Sequence, residues 1–378
     1  MNAQRWAWAQ IDLGALRHNV ATLAAHVAPQ QMWAVVKADA YGHGAVECAR
    51  VALQSGAHGL CVALVQEGIV LRQAGVNAPI LIMSEQPAEQ HRDIIQYGLI
   101  ATLYNEATIV RFARIASELE IMASVHVKVD SGMHRVGVQP DNAVRVASLV
   151  DESQWLTLDG MFTHLATADV ADTQFAQQQV SIFMRAVEQV RALEIEVHHV
   201  HISNSASAIR RLDTGAGCTM TRVGIAMYGI PGDAATNSFG ATHQLDLRPV
   251  MSVHARVSHV QRVAAGQGVS YGLRRPLESD STIATLPLGY ADGIPRGIWE
   301  SGSVLVHGTR RVFAGVVTMD QILVNCANDA VSIGDEVVLI GTQGPELITA
   351  NEWAIKLGTI GYEIVCAISA RMPRNYIN

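Results

Sequence analysis

The feature that most constrains the fold is a regular alternation of apolar runs and amphipathic stretches up to about residue 235. The apolar runs are rich in β-branched residues, and the stretches between them have helical periodicity. The candidate strands read WAVV, LCVAL, ILIM, LIATL, SVHVKV, LTLDGMF, VHHVHIS and a weaker TMTRVG. The helical stretches include AVECARVALQSG, EATIVRFARIASELE and ADTQFAQQQVSIFMRAVEQVRALE. Strand and helix alternating about eight times predict a closed parallel (β/α)8 barrel of the TIM type.

The sequence pattern changes after GIPGDAATNSFGAT, a small and polar stretch that is typical of a linker. The segments that follow are rich in β-formers and have no helical stretches between them: VMSVHARVSHVQRV, STIATLPLG, GSVLVHG, RRVFAGVVTMDQILVNC and DEVVLIG. A chain of 378 residues is also longer than one ordinary core usually holds. We therefore predict an α/β barrel domain over residues 1–240 and a mainly β C-terminal domain over residues 241–378.

Charge and cysteine content narrow the class of partner. The net charge is −7, and the basic residues are scattered rather than clustered, so neither nucleic-acid nor membrane binding is favoured. A small-molecule partner fits better. The five cysteines form no CxxC pair, which is typical of a reducing compartment. No signal-peptide pattern or apolar run near the ~20 residues of a membrane span occurs, so we expect a soluble, cytoplasmic protein.

A single lysine, Lys37, follows an apolar run in MWAVVKADAYGHGA. An amine at the end of a buried strand loses solvation, which favours its neutral form and suits covalent chemistry with a carbonyl compound. The alternative is a lysine that extends to water or pairs with Asp39. Because barrel enzymes place function where strands end, the other candidates lie at similar positions: Arg135, His164, Asn204, Ser205 and Arg222.

The last two candidate strands lead into ISNSAS and TRVGIAMYG, where barrels often bind phosphate through loop amides and hydroxyls. Ser205, Gly224 and Ile225 are suitably placed, although small residues are also common in turns. His199 and His201 alternate onto one strand face and could hold zinc. No further ligands occur at matching spacing, so core histidines, or histidines that support a neighbouring catalytic residue, remain the alternative.

Nine motifs in this order resemble the bacterial alanine racemases over essentially the whole chain. They are VVKADAYGHG, VKVDSGMHRVG, FTHLATAD, SNSAS, TRVGIAMYG, VSYG, LPLGYADG, VTMDQ and GTIGYE. The resemblance implies a pyridoxal 5'-phosphate enzyme of fold type III, with a barrel followed by a β domain, working on alanine as a head-to-tail homodimer. Departures are few, chiefly His134 and LRRPLESD after Tyr271, and they concern substrate range and the shape of the entrance.

The resemblance also implies a role for each matching residue. Lys37 matches the lysine that binds the cofactor covalently and then serves as one catalytic base. Tyr271 matches the second base, contributed by the partner subunit; two opposed bases exchange the α-proton between faces without a large rearrangement. Arg222 matches the arginine that faces the pyridine nitrogen, and a guanidinium hardly ever releases its proton. His164 would orient Arg222.

The remaining matches concern binding. Arg135 would contact the cofactor phenolic oxygen and the substrate carboxylate, and Lys128 occupies a position that is carbamylated in several relatives. The phosphate would be held by Tyr41, Ser205, Gly224, Ile225 and Tyr362, with Asn204 beside them. From the partner, Met319 would contact the substrate through its backbone, and Tyr290 and Asp320 would line the entrance.

Other classes of function stay open at this point. A non-catalytic cofactor-binding protein would account for Lys37 and the phosphate loops but would not need Tyr271. A basic amino-acid decarboxylase shares the architecture but usually has a carboxylate where Arg222 stands. A metal hydrolase would rest on His199 and His201. Broad-specificity racemases are nearer alternatives, and the sequence leaves open whether D-alanine would be made for peptidoglycan or alanine degraded.

Overall fold

The structure is a computed structural model that describes residues 5–230 and 245–378. Most of the predicted linker and the predicted boundary after residue 240 fall outside these ranges, so the division of the chain there stays a prediction.

Eight parallel strands form the barrel, in the order β4-β3-β2-β9-β8-β7-β6-β5. A bridge between Leu81 and Ile100 joins the two ends of this order and closes the ring. The strands are β2 (Gln31–Val35), β3 (Gly59–Val62), β4 (Ile80–Ile82), β5 (Ala101–Leu103), β6 (Ala123–Lys128), β7 (Leu156–Phe162), β8 (His199–His201) and β9 (Met220–Val223). Each coincides with a predicted strand, because parallel strands covered on both faces read as continuous apolar runs. The barrel prediction is confirmed.

Helices surround this barrel, and one of them departs from the alternation of strand and helix along the chain. They are α1 (Leu13–Val27), α2 (Lys37–Tyr41), α3 (Ala45–Gln54), α4 (Val65–Gln73), α5 (His91–Gln96), α6 (Glu106–Leu119), α7 (Ala143–Asp151), α8 (Gln174–Arg191) and α9 (Ser205–Arg210). Helix α1 precedes the first barrel strand and packs against α3 and α9. It therefore covers the barrel where a helix after β9 would lie, and β9 continues instead into a 3-10 turn, Ile225–Tyr228.

The mainly β part contains two groups of strands, in which every pairing is antiparallel except that of β18 with β1. They comprise β10 (Met251–Arg256), β11 (His259–Val263), β12 (Ser281–Leu286), β13 (Ser303–Val306), β14 (Thr309–Val312), β15 (Ile322–Asn325), β16 (Glu336–Gln343), β17 (Glu346–Ile348) and β18 (Arg374–Ile377). The N-terminal strand β1 (Ala7–Asp12) pairs antiparallel with β10 and parallel with β18. The first strand of the chain thus belongs to the C-terminal sheet.

Two helices that the sequence analysis did not identify follow β17, after the last of the quoted β segments, and the C-terminal part is mainly β as predicted. Helix α10 (Ala350–Leu357) begins at Thr349, whose side chain accepts a hydrogen bond from the Glu352 N–H, and ends at Gly358 in the left-handed conformation. Helix α11 (Gly361–Ala367) packs against α2 and carries Tyr362 to the mouth of the barrel. None of the helices in the described ranges is both long and apolar enough to span a membrane.

Candidate active site

A cavity of about 430 Å³ opens at the carboxyl ends of the barrel strands. Eleven of the residues predicted from the sequence line it: Lys37, Tyr41, Lys128, Arg135, His164, Asn204, Ser205, Arg222, Gly224, Ile225 and Tyr362. Sequence reasoning did not identify its remaining lining residues, which are Val35, Ala63, Met83, Ser84, Val136 and Phe162. Five of the six missed side chains are apolar and the sixth, Ser84, is small, so the cavity combines hydrophobic walls with a few polar groups, as small-molecule sites do.

Lys37 lies at the end of β2, where the backbone turns left-handed. Residues 38–41 all have φ between 52° and 54°, a conformation that costs non-glycine residues roughly 1–2 kcal/mol each. Two carboxylates hold this turn: Glu67 accepts a hydrogen bond from the Ala38 N–H at 2.6 Å, and Asp39 accepts one from the Ala45 N–H at 2.7 Å. The turn brings the Tyr41 ring centroid to 6.0 Å from Lys37 Nζ.

Positive charge is concentrated in the cavity. Burial lowers the pKa of Lys37, and the nearby Arg135 guanidinium lowers it further. Burial also lowers the pKa of Lys128 to about 7, with additional repulsion from Arg222 and Arg135. Both amines are therefore shifted toward the neutral, nucleophilic form, while the arginines favour an anionic ligand.

Arg222 on β9 is almost fully buried and fixed by several acceptors. Its Nη2 donates to the carbonyl oxygens of Thr163 at 2.9 Å and Ile202 at 3.0 Å. Its Nη1 donates to Nδ1 of His201. The predicted partner His164 is present, but its Nδ1 lies 3.4 Å away. Burial lowers the pKa of Arg222 to about 10, so the guanidinium keeps its proton near neutral pH.

The predicted phosphate loops form a narrow cradle. The Ser205 hydroxyl oxygen accepts hydrogen bonds from the N–H groups of Gly224 at 2.9 Å and Ala226 at 3.3 Å. Its own hydrogen is not used in these bonds and can point at a ligand. A Cβ on Gly224 would lie 2.6 Å from the Tyr41 hydroxyl oxygen, so any larger residue would require Tyr41 or the loop to move. Burial raises the pKa values of Tyr41 and Tyr362, the latter to about 12, so both hydroxyls stay protonated donors.

This donor set fits pyridoxal 5'-phosphate. Hydroxyl donors surround a small-residue loop at one side, as an oxyanion group requires. Lys37, whose lowered pKa favours the free amine, can attack an aldehyde. Arg222 offers donors on a wall of the same cavity.

Four predicted residues lie outside the cavity, on loops of the β domain. Tyr271 is 74% exposed, Met319 52% and Tyr290 42%, and Asp320 is also exposed. Hydrogen bonds join these loops, since the Tyr290 backbone N–H donates to the Thr318 carbonyl and the Ser270 side-chain hydroxyl donates to the Val316 carbonyl. We call Tyr271, Tyr290, Met319 and Asp320 the exposed loop cluster. None of these four residues lines the cavity that contains Lys37 of the same chain.

The histidines considered for zinc have other partners. His201 is fully buried, and its two ring nitrogens face Arg222 and His126. His199 points to Trp33, with ring centroids 5.7 Å apart. Within residues 5–230 and 245–378, no group of three or more His, Cys, Asp or Glu side chains could hold a metal ion. His201 thus serves as a partner of Arg222, a role that alternation along one strand could not identify.

The chain matches known proteins over nearly its whole length. Residues 11–231 match the model of the alanine racemase N-terminal domain, and residues 250–376 match that of the C-terminal domain. A relative from a Nostoc strain, named alanine racemase, is 40% identical, with 97% of this chain and 95% of that protein aligned.

Two solved structures show the same fold over the full chain. Alanine racemase from D-cycloserine-producing Streptomyces lavendulae has a TM-score of 0.94 at 33% identity and covers 100% of this chain and 98% of its own. Histidine racemase from Leuconostoc mesenteroides has a TM-score of 0.90 at 25% identity, and the match covers 100% of this chain and 99% of that chain. With both domain models matched and curated relatives similar over nearly their whole length, the chain belongs to the alanine racemase family.

Proposed function

We propose that this protein interconverts L-alanine and D-alanine with pyridoxal 5'-phosphate, the cofactor of its family. One observation carries the proposal: a lysine with a lowered pKa, a buried arginine and the Ser205–Gly224 loop cradle share one cavity in a chain of alanine racemase architecture. When bound, the cofactor supplies an aldehyde carbon for linkage to an amino group and a conjugated ring that stabilises negative charge at the α-carbon.

Lys37 Nζ is proposed to hold the cofactor and to move the α-proton on one face of the substrate. Burial and Arg135 lower its pKa, which favours the neutral amine that proton abstraction requires. Ser205, Gly224, Ile225, Tyr41 and Tyr362, with Asn204 beside them, are proposed to hold the phosphate. Each of them lines the cavity near Lys37.

Arg222 is proposed to face the ring nitrogen and to donate a hydrogen bond without giving up its proton. Its pKa of about 10 supports this role at neutral pH. Among the described residues that line the cavity, none carries a carboxylate that could protonate the ring instead. This charge pattern favours simple proton exchange over decarboxylation, because the electron sink is weaker. His164 is proposed to support Arg222 from 3.4 Å.

The substrate carboxylate is proposed to bind at Arg135, whose guanidinium can pair with it through two hydrogen bonds. Lys128 is proposed to react with carbon dioxide, forming an N–C bond and releasing one proton, so that a carbamate positions Arg135. Its pKa of about 7 supports this reaction, since the neutral amine is the reactive form. Lys128 is buried close to Arg135 and Arg222, and these two positive charges also support an anion at this position.

The second base is proposed to be Tyr271 of a partner subunit, in a head-to-tail homodimer. Its 74% exposure and its place in the exposed loop cluster support a role in another subunit's cavity. The Met319 carbonyl accepts a hydrogen bond from the Ala291 N–H at 3.1 Å. The Met319 N–H is proposed as the backbone group that contacts the substrate. Tyr290 and Asp320 would line the entrance, and Arg371 holds Asp320 at 2.7 Å.

A cytoplasmic location and a role in supplying D-alanine for peptidoglycan complete the proposal. All five cysteines are free, which supports a reducing compartment. Alanine as the main substrate is supported by the names of the curated relatives, whereas the histidine racemase neighbour shows that this fold accommodates other side chains.

The test is a D-amino-acid-oxidase-coupled assay on L-alanine with the wild type and Tyr271→Phe, together with an absorption scan near 420 nm. A yellow wild type that makes D-alanine and a yellow variant that does not would support the proposal. Yellow protein that releases carbon dioxide from lysine or ornithine, or does neither reaction, would contradict it. L-Serine and L-histidine, assayed in parallel, would measure substrate breadth.

A further inference from the structure

A line of three polar contacts runs through the barrel interior from Arg222 to Asp159. Nη1 of Arg222 contacts Nδ1 of His201, and Nε2 of His201 lies 2.9 Å from Nδ1 of His126. Nε2 of His126 lies 3.4 Å from Oδ2 of Asp159. His126 and His201 have no exposed surface, whereas Asp159 is partly exposed at the far end. We call Arg222, His201, His126 and Asp159 the histidine relay.

The chemistry of its two ends fixes the direction of every hydrogen bond in the relay. A guanidinium only donates, so Nδ1 of His201 accepts and its single proton sits on Nε2. That proton is donated to Nδ1 of His126, which places the proton of His126 on Nε2. The carboxylate of Asp159 accepts the hydrogen bond from Nε2–H of His126. Any other arrangement sets two donors or two acceptors against each other inside the barrel.

The protonation states agree with this direction. Burial lowers the pKa of His201 well below its ordinary value, and the Arg222 charge lowers it further. Burial also lowers the pKa of His126, although Asp159 acts in the opposite sense. Both rings are therefore neutral near pH 7, with one donor and one acceptor each.

Close packing surrounds the two rings. Gly160 lies beside His126, and a Cβ at that position would be 2.8 Å from Cε1 of the ring. The Phe162 ring stacks on His201 with centroids 4.7 Å apart and an interplanar angle of 7°. The same ring lies 5.1 Å from the guanidinium carbon of Arg222. The contacts and the ring packing together define one orientation of the guanidinium plane.

We propose that His126 and Asp159 are positioning residues for the reaction: Asp159 selects the tautomer of His126, His126 selects that of His201, and His201 holds Arg222 against the cofactor ring. This inference rests on the proposed function. It adds two residues that touch neither substrate nor cofactor, and it makes the partly exposed Asp159 the outer anchor of an arginine in the cavity.

The test compares His126→Leu with His126→Asn in the holoenzyme. Leucine has a similar size and no acceptor, whereas the asparagine amide oxygen can occupy the place of Nδ1 and still accept from His201. Solid-state nitrogen-15 NMR of histidine-labelled protein reports each tautomer, and the resonances of His126 and His201 are assigned by their loss in single variants. The absorption maximum of the bound cofactor and the separate values of kcat and KM complete the measurement.

We expect both wild-type rings to carry their proton on Nε2. His126→Leu should change the His201 resonance, shift the cofactor absorption and lower kcat about tenfold, a loss typical of removing a partner that orients a site residue. His126→Asn should keep the wild-type His201 tautomer, absorption and most of kcat. A proton on Nδ1 of wild-type His201, or a folded His126→Leu with unchanged absorption and kcat, would overturn the inference.

Two further comparisons distinguish a failure of this inference from a variant that does not fold and from a failure of the proposed function. If His126→Leu does not fold, Asp159→Leu against Asp159→Asn gives the same comparison at the partly exposed end of the relay. If the wild type shows the expected tautomers but does not racemise alanine, the proposed function fails while the relay stands.

Discussion

The hydroxyl oxygen of Ser205 accepts a hydrogen bond from the Gly224 N–H at 2.9 Å, and this contact ties the loop after β8 to the loop after β9. The same oxygen also accepts from the Ala226 N–H at 3.3 Å. Two loops that are adjacent only because β8 and β9 pair in the barrel are thereby held at a fixed separation. The Tyr41 hydroxyl closes the third side of this cradle, next to Gly224.

Gly224→Ala should weaken cofactor binding by displacing Tyr41. The new Cβ would lie 2.6 Å from the Tyr41 hydroxyl oxygen, which is closer than such atoms approach, so the tyrosine or the loop must move. Overpacking of this kind costs about 1–3 kcal/mol, or roughly 5- to 150-fold in the dissociation constant. Titration of the apoprotein with pyridoxal 5'-phosphate, followed by absorption, measures the dissociation constant of the cofactor.

Two further variants control that experiment. Gly297→Ala adds a methyl group at ordinary contact distance, 3.4 Å from Leu357, and should leave cofactor binding unchanged. Gly224→Ala combined with Tyr41→Phe removes the clashing oxygen, so the two changes should be less than additive. Wild-type affinity in Gly224→Ala would show that the phosphate does not bind in this cradle.

Arg135→Gln should shift cofactor capture by the apoprotein to higher pH. Arg135 and Lys37 repel each other as cations, so removing the arginine charge raises the pKa of Lys37 toward its ordinary value. Capture needs the neutral amine, and a higher pKa means less of it at any given pH. Stopped-flow absorption of cofactor addition across pH measures the shift. Arg135→Lys keeps a cation and should move the profile much less; equal shifts in both variants would contradict this origin of the lowered pKa.

The barrel was predictable strand by strand, whereas the N-terminal strand was not. Barrel strands such as β6 are buried on both faces and stand out as continuous apolar runs. Strand β1 alternates buried and half-buried residues, and its partners β10 and β18 lie at the other end of the chain. Its place depends on long-range pairing that no local pattern encodes. Helix α10 was missed although the sequence carries a local signal for it. TANE at residues 349–352 matches a capping box, which marks the start of a helix.

The candidate residues that line the cavity could be predicted because side chains at the ends of barrel strands meet at one face of the barrel. Lys37 follows β2, Arg222 lies near the end of β9, and the predicted phosphate loops follow β8 and β9. The family motifs predict further roles for them. The link between His201 and His126 could not be predicted, because it depends on which inward side chains of β6 and β8 lie at the same level in the barrel interior. Since β6 and β8 both flank β7, their inward side chains meet, and only the structure gives the distance of 2.9 Å.

Lys128 should form a carbamate that increases as pH rises. Its pKa of about 7 means that the neutral amine, which attacks carbon dioxide, becomes dominant through this pH. Carbon-13 NMR with labelled bicarbonate, recorded at a constant partial pressure of carbon dioxide, should show a carbamate resonance that grows with pH. Lys128→Met should lack it. A wild-type spectrum identical to that of Lys128→Met would leave a plain amine beside the arginines.

Inactive Lys37→Ala and inactive Tyr271→Phe should restore activity when their subunits are mixed. Tyr271 is 74% exposed and lies outside the lysine cavity of its own chain, so the proposed site needs the exposed loop cluster of a second subunit. A mixed dimer contains one cavity with both Lys37 and a partner tyrosine. Random exchange of equal amounts puts half of the dimers in this form, each with one intact site of two, so about a quarter of wild-type activity is expected from this counting. Two different affinity tags confirm that exchange has occurred, and a mixture of Lys37→Ala with the double variant Lys37→Ala/Tyr271→Phe should remain inactive. Verified mixed dimers without activity would show that the two residues do not meet across subunits.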